Sequence, residues 1–137
     1  MKQLLQFIVA FGLVLTLFSP ATPASAADGR MKITEMAVTT RIVRGNPIDS
    51  VHRISVTSVR VLYCFTRIAK PGDADTMIRH VWYLNDEKAG EYALPVKGER
   101  WRTYSKKAIS RESVGEWRVE ALDSGGNLLK SVKFRIN

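Results

Sequence analysis

Positive charge is concentrated in one short segment of the sequence. Between Lys97 and Lys107, five basic residues accompany a single acidic residue, Glu99. If this segment is a β-strand, alternate side chains share a face. One face would carry Arg100, Arg102, Tyr104 and Lys106, and Lys107 would lie on the other. A row of cations that includes an aromatic ring can bind an acidic polymer or a phosphate group, and the ring can stack on a sugar or a base.

The same pattern also fits an outer strand that binds nothing. In that case the like charges are solvated, and acidic residues on the next strand relieve their repulsion. Both interpretations require the segment to be a strand. They differ in what the neighbouring strand presents to it.

A second group of candidates lies in Met77–Leu84. Arg79 and Tyr83 would extend the basic face if their strand lies beside the basic one. His80 falls on the same face as Ile78 and Trp82, which is typical of a core-facing position. A histidine there could be a general base or a metal ligand, but we expect a neutral core histidine with hydrogen-bonded ring nitrogens. The candidate ligand-binding residues are therefore Arg79, His80, Tyr83, Arg100, Arg102, Tyr104, Lys106 and Lys107.

Sequence motifs of catalysis and metal binding are absent. The chain contains two histidines and one cysteine, with no Gly-x-Ser-x-Gly elbow, His-Glu-x-x-His helix or phosphate-binding glycine loop. The segment Asp73–Asp75 resembles the start of a calcium loop but lacks its closing Glu. We therefore predict no catalytic residue, no metal site and no cofactor. The single Cys64 lies in an apolar run, where a free cysteine is expected to be buried.

The first 26 residues have the layout of a secretory signal peptide. Lys2 is followed by the apolar run 4–18 and by the small residues Ala24-Ser25-Ala26. The apolar run is about 15 residues long, shorter than the roughly 20 that span a bilayer. We predict cleavage after Ala26, a periplasmic or extracellular location and no membrane span thereafter. The net charge of +8 on 137 residues then becomes +7 on a mature domain of residues 27–137.

The mature segment shows strand and turn signals and no helical pattern. The predicted strands are 32–43, 56–68, 77–84, 91–96, 100–109, 117–121 and 128–136. The last two form a hairpin across Asp123–Asn127, with Leu128 on the face of Val132, Phe134 and Ile136. Seven or eight short strands in one domain predict an all-β fold, an antiparallel β-sandwich of the immunoglobulin-like type. A small closed barrel is the alternative.

The aromatic and basic residues also resemble a known family. The relevant stretches are Leu62–Ile68, His80–Tyr83, Arg100–Lys107, Gly115–Glu120 and Phe134. His-x-Trp followed by Trp-Arg-Thr-Tyr-Ser-x-Lys is similar to the bacterial domain of unknown function 2914, over roughly 63–136. The resemblance implies a compact β domain, often exported or joined to other modules. It implies no activity.

Three functions fit these features. The first is an exported, non-catalytic binding or accessory module that recognises an anionic envelope polymer, a glycan or a protein partner through the basic-aromatic strand. The second is a structural subunit of an envelope complex that pairs through sandwich edges, and the third is a hydrolase or metal enzyme centred on His80. We expect no nucleic-acid partner, because the chain carries an export signal and no nucleic-acid-binding motif. The pattern specifies no oligomeric state.

Overall fold

The computed structural model describes residues 30–137, and the predicted signal peptide, residues 1–26, lies outside them. Strands account for the regular structure of this part, apart from one short 3-10 helix, Arg111–Ser113. The ten strands are β1 Lys32–Thr39, β2 Ile42–Val43, β3 Asn46–Pro47, β4 Arg53–Ile54, β5 Val61–Ala69, β6 Thr76–Leu84, β7 Glu87–Val96, β8 Arg100–Ala108, β9 Gly115–Leu122 and β10 Leu128–Ile136. Seven of them have eight or more residues, in agreement with the predicted number.

The strands form two packed sheets and one small hairpin. The first sheet has the order β1-β5-β8, the second has the order β4-β10-β9-β6-β7, and β2 pairs only with β3. Neighbouring strands are antiparallel except β4 and β10, which are parallel. Between the sheets, β7 lies near β8 and β1 lies near β10. The predicted antiparallel β-sandwich is therefore confirmed.

Aromatic rings fill the space between the sheets. Trp82, Trp117 and Phe134 are at most 3% exposed and lie with ring centroids 5.8 to 6.2 Å apart. Two of the three pairs meet edge to face, a geometry that adds to the free energy gained from burial. Cys64 belongs to the same core cluster and is fully buried, as predicted. Trp101 is only half-buried and packs against a second, smaller cluster that includes Ile78.

The structure differs from the predicted strands in three places. A β-bulge between Leu128 and Lys130 shifts the face of β10, so Leu129 packs inward and Leu128 is exposed. Residues 56–60 are not part of β5, since the amide of Val56 pairs with the carboxyl-terminal Asn137 instead. The first predicted strand ends at Thr39, and its last residues form a hairpin of their own.

The strand that contains Pro95 is longer than predicted but sits where expected. β7 begins at Glu87 and is an edge strand of the second sheet. Proline lacks an amide hydrogen and is therefore confined to edges and bulges.

Candidate functional site

The basic segment is an edge strand of the three-stranded sheet. β8 pairs with β5 along its whole length, and its outer face carries Arg100, Arg102, Tyr104 and Lys106, all exposed. The ring of Tyr104 is 47% exposed and meets Tyr63 of β5 edge to face at 5.7 Å. The predicted row of cations with an aromatic ring is thus present on one face, and we call these four residues the basic ladder.

The neighbouring strand adds a further cation to this face. Arg67 of β5 lies directly opposite Arg102 of β8. Like charges in directly opposed cross-strand positions are destabilising. The acidic residue nearest in the sheet is Glu35 of β1, whose Oε2 accepts from Arg67 Nε at 3.0 Å. β5 itself carries no acidic residue, and the acidic relief on this face comes from Glu35, one strand further, which pairs with Arg67 and not with a residue of the ladder.

Ion pairing leaves the cations of the ladder free. In the part of the chain from residue 30 onward, no carboxylate lies within salt-bridge distance of Arg100, Arg102 or Lys106. The nearby Glu91 lines a groove with Tyr104, but its oxygens contact Arg79 and Lys88. Those contacts, the hydrogen bond from Lys88 first, lower the pKa of Glu91. The ladder therefore retains its positive charge for another partner.

The β2–β3 hairpin lies over this face and contacts two of its arginines. The side-chain oxygen of Asn46 accepts hydrogen bonds from Arg67 Nη2 and Arg102 Nη1, each at 3.1 Å. A guanidinium group only donates, so the Asn46 atom between them must be the oxygen. Phe65 points to the same face and is only 1% exposed, although it belongs to neither core cluster. The guanidinium of Arg67 lies over the Phe65 ring, with Cζ 5.6 Å from the ring centroid, so an arginine held by the hairpin covers this side chain.

The turn of the hairpin has an uncommon backbone conformation. Arg44 and Gly45 have φ angles of 52° and 75°, as in a two-residue hairpin turn. A Cβ atom added to Gly45 would lie 3.4 Å from Arg102 Cζ, so the guanidinium packs directly on the glycine. The turn therefore lies against Arg102 of the basic ladder, and the Arg44 side chain is exposed.

A separate set of hydrogen bonds holds the base of the hairpin. Asp49 accepts from the hydroxyl groups of Thr39 and Thr40, each at 2.6 Å, and from the Thr40 amide at 2.8 Å. Partial burial opposes ionisation of Asp49, but these hydrogen bonds prevail and lower its pKa. The base is thus held independently of Asn46.

Lys107 serves a structural contact, although it was a predicted ligand-binding residue. It lies on the inner side of β8, and its Nζ donates to the carbonyl oxygen of Ala89 at 2.6 Å. This bond joins β8 to β7 across the edge of the sandwich. The flexible lysine stem allows the charge to reach a polar partner from an inner-face position.

Predicted site residue His80 is part of the core. It is fully buried, with Nδ1 2.7 Å from Ser105 Oγ and Nε2 3.2 Å from Thr66 Oγ1. The indole of Trp82 donates to Ser105, and Thr66 donates to the carbonyl oxygen of Thr103. Every group in this chain has a partner when His80 is neutral with its proton on Nε2. Ser105 then donates to Nδ1, and the Nε2 hydrogen is donated to Thr66. Burial lowers the pKa of His80 from 6.5 to about 4. The predicted core position of this histidine, with both ring nitrogens hydrogen-bonded, is confirmed.

The expected extension of the basic face by Arg79 and Tyr83 is wrong. Their strand, β6, lies inside the other sheet, between β7 and β9. Arg79 contacts Glu91, and the guanidinium of Arg118 lies 4.4 Å from the ring centroid of Tyr83. Both side chains therefore take part in contacts on the outer face of the five-stranded sheet.

Residues 30–137 contain no group of three or more potential metal ligands. Over the same range, no helix is long and apolar enough to cross a membrane.

The cleft beside the ladder is lined by Thr34, Arg67, Ile68, Ala69, Arg100, Trp101 and Arg102.

A family model matches the part of the chain that contains the basic strand. The model of the family described as protein of unknown function (DUF2914) matches residues 75–136. The predicted resemblance to this family is confirmed. The DUF2914 match contains the whole basic ladder but neither Arg67 nor Asn46. No curated protein matches the chain.

Solved structures share the fold of the chain at low identity. An immunoglobulin-like protein from Pseudomonas aeruginosa is 11% identical, with a TM-score of 0.53 over 81% of this chain and 99% of that one. The alkylpurine DNA glycosylase AlkC from Pseudomonas fluorescens, solved bound to DNA containing an abasic site analog, is 14% identical. Its TM-score is 0.55, over 80% of this chain and 31% of that one. The predicted immunoglobulin-like sandwich is confirmed.

Sequence reasoning missed Arg67 and Asn46 as members of the site. The sequence Arg44-Gly45-Asn46-Pro47 is typical of a turn, and the structure has a turn there. Its sequence carries no signal for the face on which the hairpin folds. The position of Arg67 beside Arg102 depends on the pairing of β5 with β8, which is not a local property.

Proposed function

We propose that the chain is an exported, non-catalytic binding module that recognises an anionic envelope polymer through the outer face of β5 and β8. The observation that supports this proposal is the direct opposition of Arg67 and Arg102. A sheet that serves packing alone gains nothing from two opposed cations. A polyanion that lies across both strands would remove the repulsion and use the charges.

The side chains of this face suit an acidic polymer. Guanidinium groups present several N–H donors in a plane and can bind carboxylate, sulfate or phosphate groups through two bonds at once. The exposed ring of Tyr104 lies between Arg102 and Lys106 on the ladder and offers a surface on which a sugar ring can stack. The spacing of alternate residues along a strand is about 7 Å, which matches a repeating ligand better than a compact one.

Other functions receive less support from the same residues. The buried Ser105–His80–Thr66 chain of hydrogen bonds has no access to a substrate, and a nucleophile needs such access. Edge-to-edge pairing of sandwiches is disfavoured along β8, because charged side chains on an edge strand oppose the addition of another strand. A nucleic-acid partner is not proposed, since the predicted signal peptide directs the chain to the periplasm or beyond.

The test is binding of heparin to the 27–137 domain and to its triple variant Arg100→Ala, Arg102→Ala, Lys106→Ala. If each charge contributes about 0.7 kcal/mol at an exposed site, the variant should bind about 30-fold more weakly. The melting temperature should stay the same or rise slightly, because the opposed cation of Arg67 loses its partner in repulsion. The effect should shrink at high salt, which screens exposed charges.

A matched variant controls for net charge. Arg60, Lys130 and Lys133 are exposed and make no salt bridge within residues 30–137. Their triple alanine variant loses the same three charges away from the ladder. Equal loss of heparin affinity in the two triple variants would show that net charge alone drives binding, and the proposal would then be wrong.

A further inference from the structure

Asn46 occupies the point at which two guanidinium groups converge. Its neutral oxygen lies 3.1 Å from a nitrogen of Arg67 and 3.1 Å from a nitrogen of Arg102. Two cations that share one oxygen atom form a typical oxyanion-binding arrangement. An amide oxygen satisfies the geometry of these donors but leaves their charge uncompensated.

The asparagine can leave this point without disturbing the fold. Asn46 is exposed, and its Nδ2 makes one long hydrogen bond of 3.5 Å, to the Arg44 carbonyl oxygen. Asp49 holds the base of the hairpin separately, and the pairing of Ile42 with Pro47 holds its two strands together. Rotation about the Asn46 side-chain bonds is therefore enough to free both guanidinium groups.

We propose that Asn46 is a placeholder for an anion, and that Arg67, Arg102 and Arg100 form a subsite for a sulfate or phosphate group carried by an acidic polymer. This inference rests on the proposed function and names the chemical group that the same face recognises. The bound group displaces the Asn46 oxygen and takes over its two hydrogen bonds. The hairpin backbone stays in place.

The arrangement favours a tetrahedral oxyanion over a carboxylate. One oxygen of the group replaces Asn46 Oδ1, and the others remain free for further donors. Arg67 has a carboxylate partner in Glu35, whereas Arg102 and Arg100 have none among residues 30–137. Arg100 lines the same cleft as the pair. A sulfate or phosphate group has enough oxygens to use these donors together, and a carboxylate has only two.

The experiment compares dextran sulfate with polygalacturonate, which carry sulfate and carboxylate groups respectively, at equal charge concentration and ionic strength. The wild-type domain should bind dextran sulfate more tightly. Asn46→Ala removes the competing oxygen and should raise the affinity for dextran sulfate by roughly three- to tenfold, the effect of freeing one or two surface hydrogen bonds. Asn46→Asp places a permanent carboxylate between the arginines and should lower that affinity by at least tenfold, because the anion must then displace a charge-assisted pair.

Control variants and the remaining outcomes separate this inference from the proposed function. Ser131→Asp adds the same negative charge on exposed β10, in the other sheet, and should change the affinity by less than about twofold, because salt screens distant charges. If the wild type binds heparin through the ladder but both Asn46 variants bind dextran sulfate like the wild type, the placeholder role is wrong and the binding function stands. If polygalacturonate binds as tightly as dextran sulfate, the sulfate or phosphate preference is wrong. If inorganic sulfate competes at the same concentration as polymer-borne sulfate, the polymer as the source is wrong.

Discussion

Lowering the pH from about 7 to about 5 should destabilise the folded domain through His80. Burial lowers the pKa of this imidazole from 6.5 to about 4 in the folded state. As the pH falls through 6.5, the unfolded chain, with the ordinary pKa, takes up a proton, and the folded chain stays mostly unprotonated down to about pH 5. Stability is therefore fully present above about pH 6.5 and is lost as the pH falls toward 4. Integrating the two titrations gives a loss of about 2 kcal/mol between pH 7 and pH 5.

The range ends at pH 5 so that the carboxyl groups contribute little. Hydrogen bonds lower the pKa values of Asp49, Glu91, Glu112 and Asp123 below ordinary values of 3.8 or 4.5. The stability from these groups is present above their ordinary pKa values and is lost only at lower pH. Between pH 7 and pH 5, the effect of His80 can be measured separately from theirs.

The assay is guanidinium chloride unfolding followed by tryptophan fluorescence, at several pH values, on the wild type and two variants. His80→Gln should be less stable at pH 7 but should lose most of the pH dependence. His52→Gln is the matched control, since His52 is the other histidine and is exposed, and it should behave like the wild type in its loss with pH. A titration of the two imidazoles by nuclear magnetic resonance supplies a measurement that does not depend on the variant folding. An unchanged pH dependence in His80→Gln, or a ring of His80 that titrates near 6.5, would refute the reasoning.

Two further predictions concern the buried groups. Ser105→Ala leaves Trp82 Nε1 and His80 Nδ1 without a partner and should lower the free energy of unfolding by about 2 to 4 kcal/mol, measured by chemical denaturation, because two buried polar atoms become unsatisfied. Ser131→Ala, at an exposed position, should change it by less than about 0.5 kcal/mol, and equal effects would contradict the role of the buried hydroxyl. The thiol of Cys64 should react with a disulfide reagent only after unfolding, because it is fully buried and burial raises its pKa. Reaction in native buffer at the rate seen in denaturant would show that the thiol is accessible.

Alternating patterns predicted the strands well where one face is buried. Trp117, Val119 and Ala121 all face the core of β9, as their spacing indicates. The prediction failed at Leu128, since a bulge inserts one residue and reverses the alternation there. It also failed at residues 56–60, where Val56 and Val59 pack on the core from a loop. Apolar residues signal burial in both cases, but backbone pairing decides whether the segment is a strand.

The sequence by itself determined the all-β sandwich, the buried Cys64 and His80, and the basic ladder on one face of β8. These features follow from side-chain polarity that alternates within a few residues, which any strand must obey. Only the tertiary structure decided that Arg67 opposes Arg102, that Arg79 and Tyr83 lie on the other sheet, and that Asn46 joins two arginines. Asn46 lies 21 residues from one of these arginines and 56 from the other. Contacts across such separations depend on strand order and on where a hairpin packs, and both are set by how the whole core is buried.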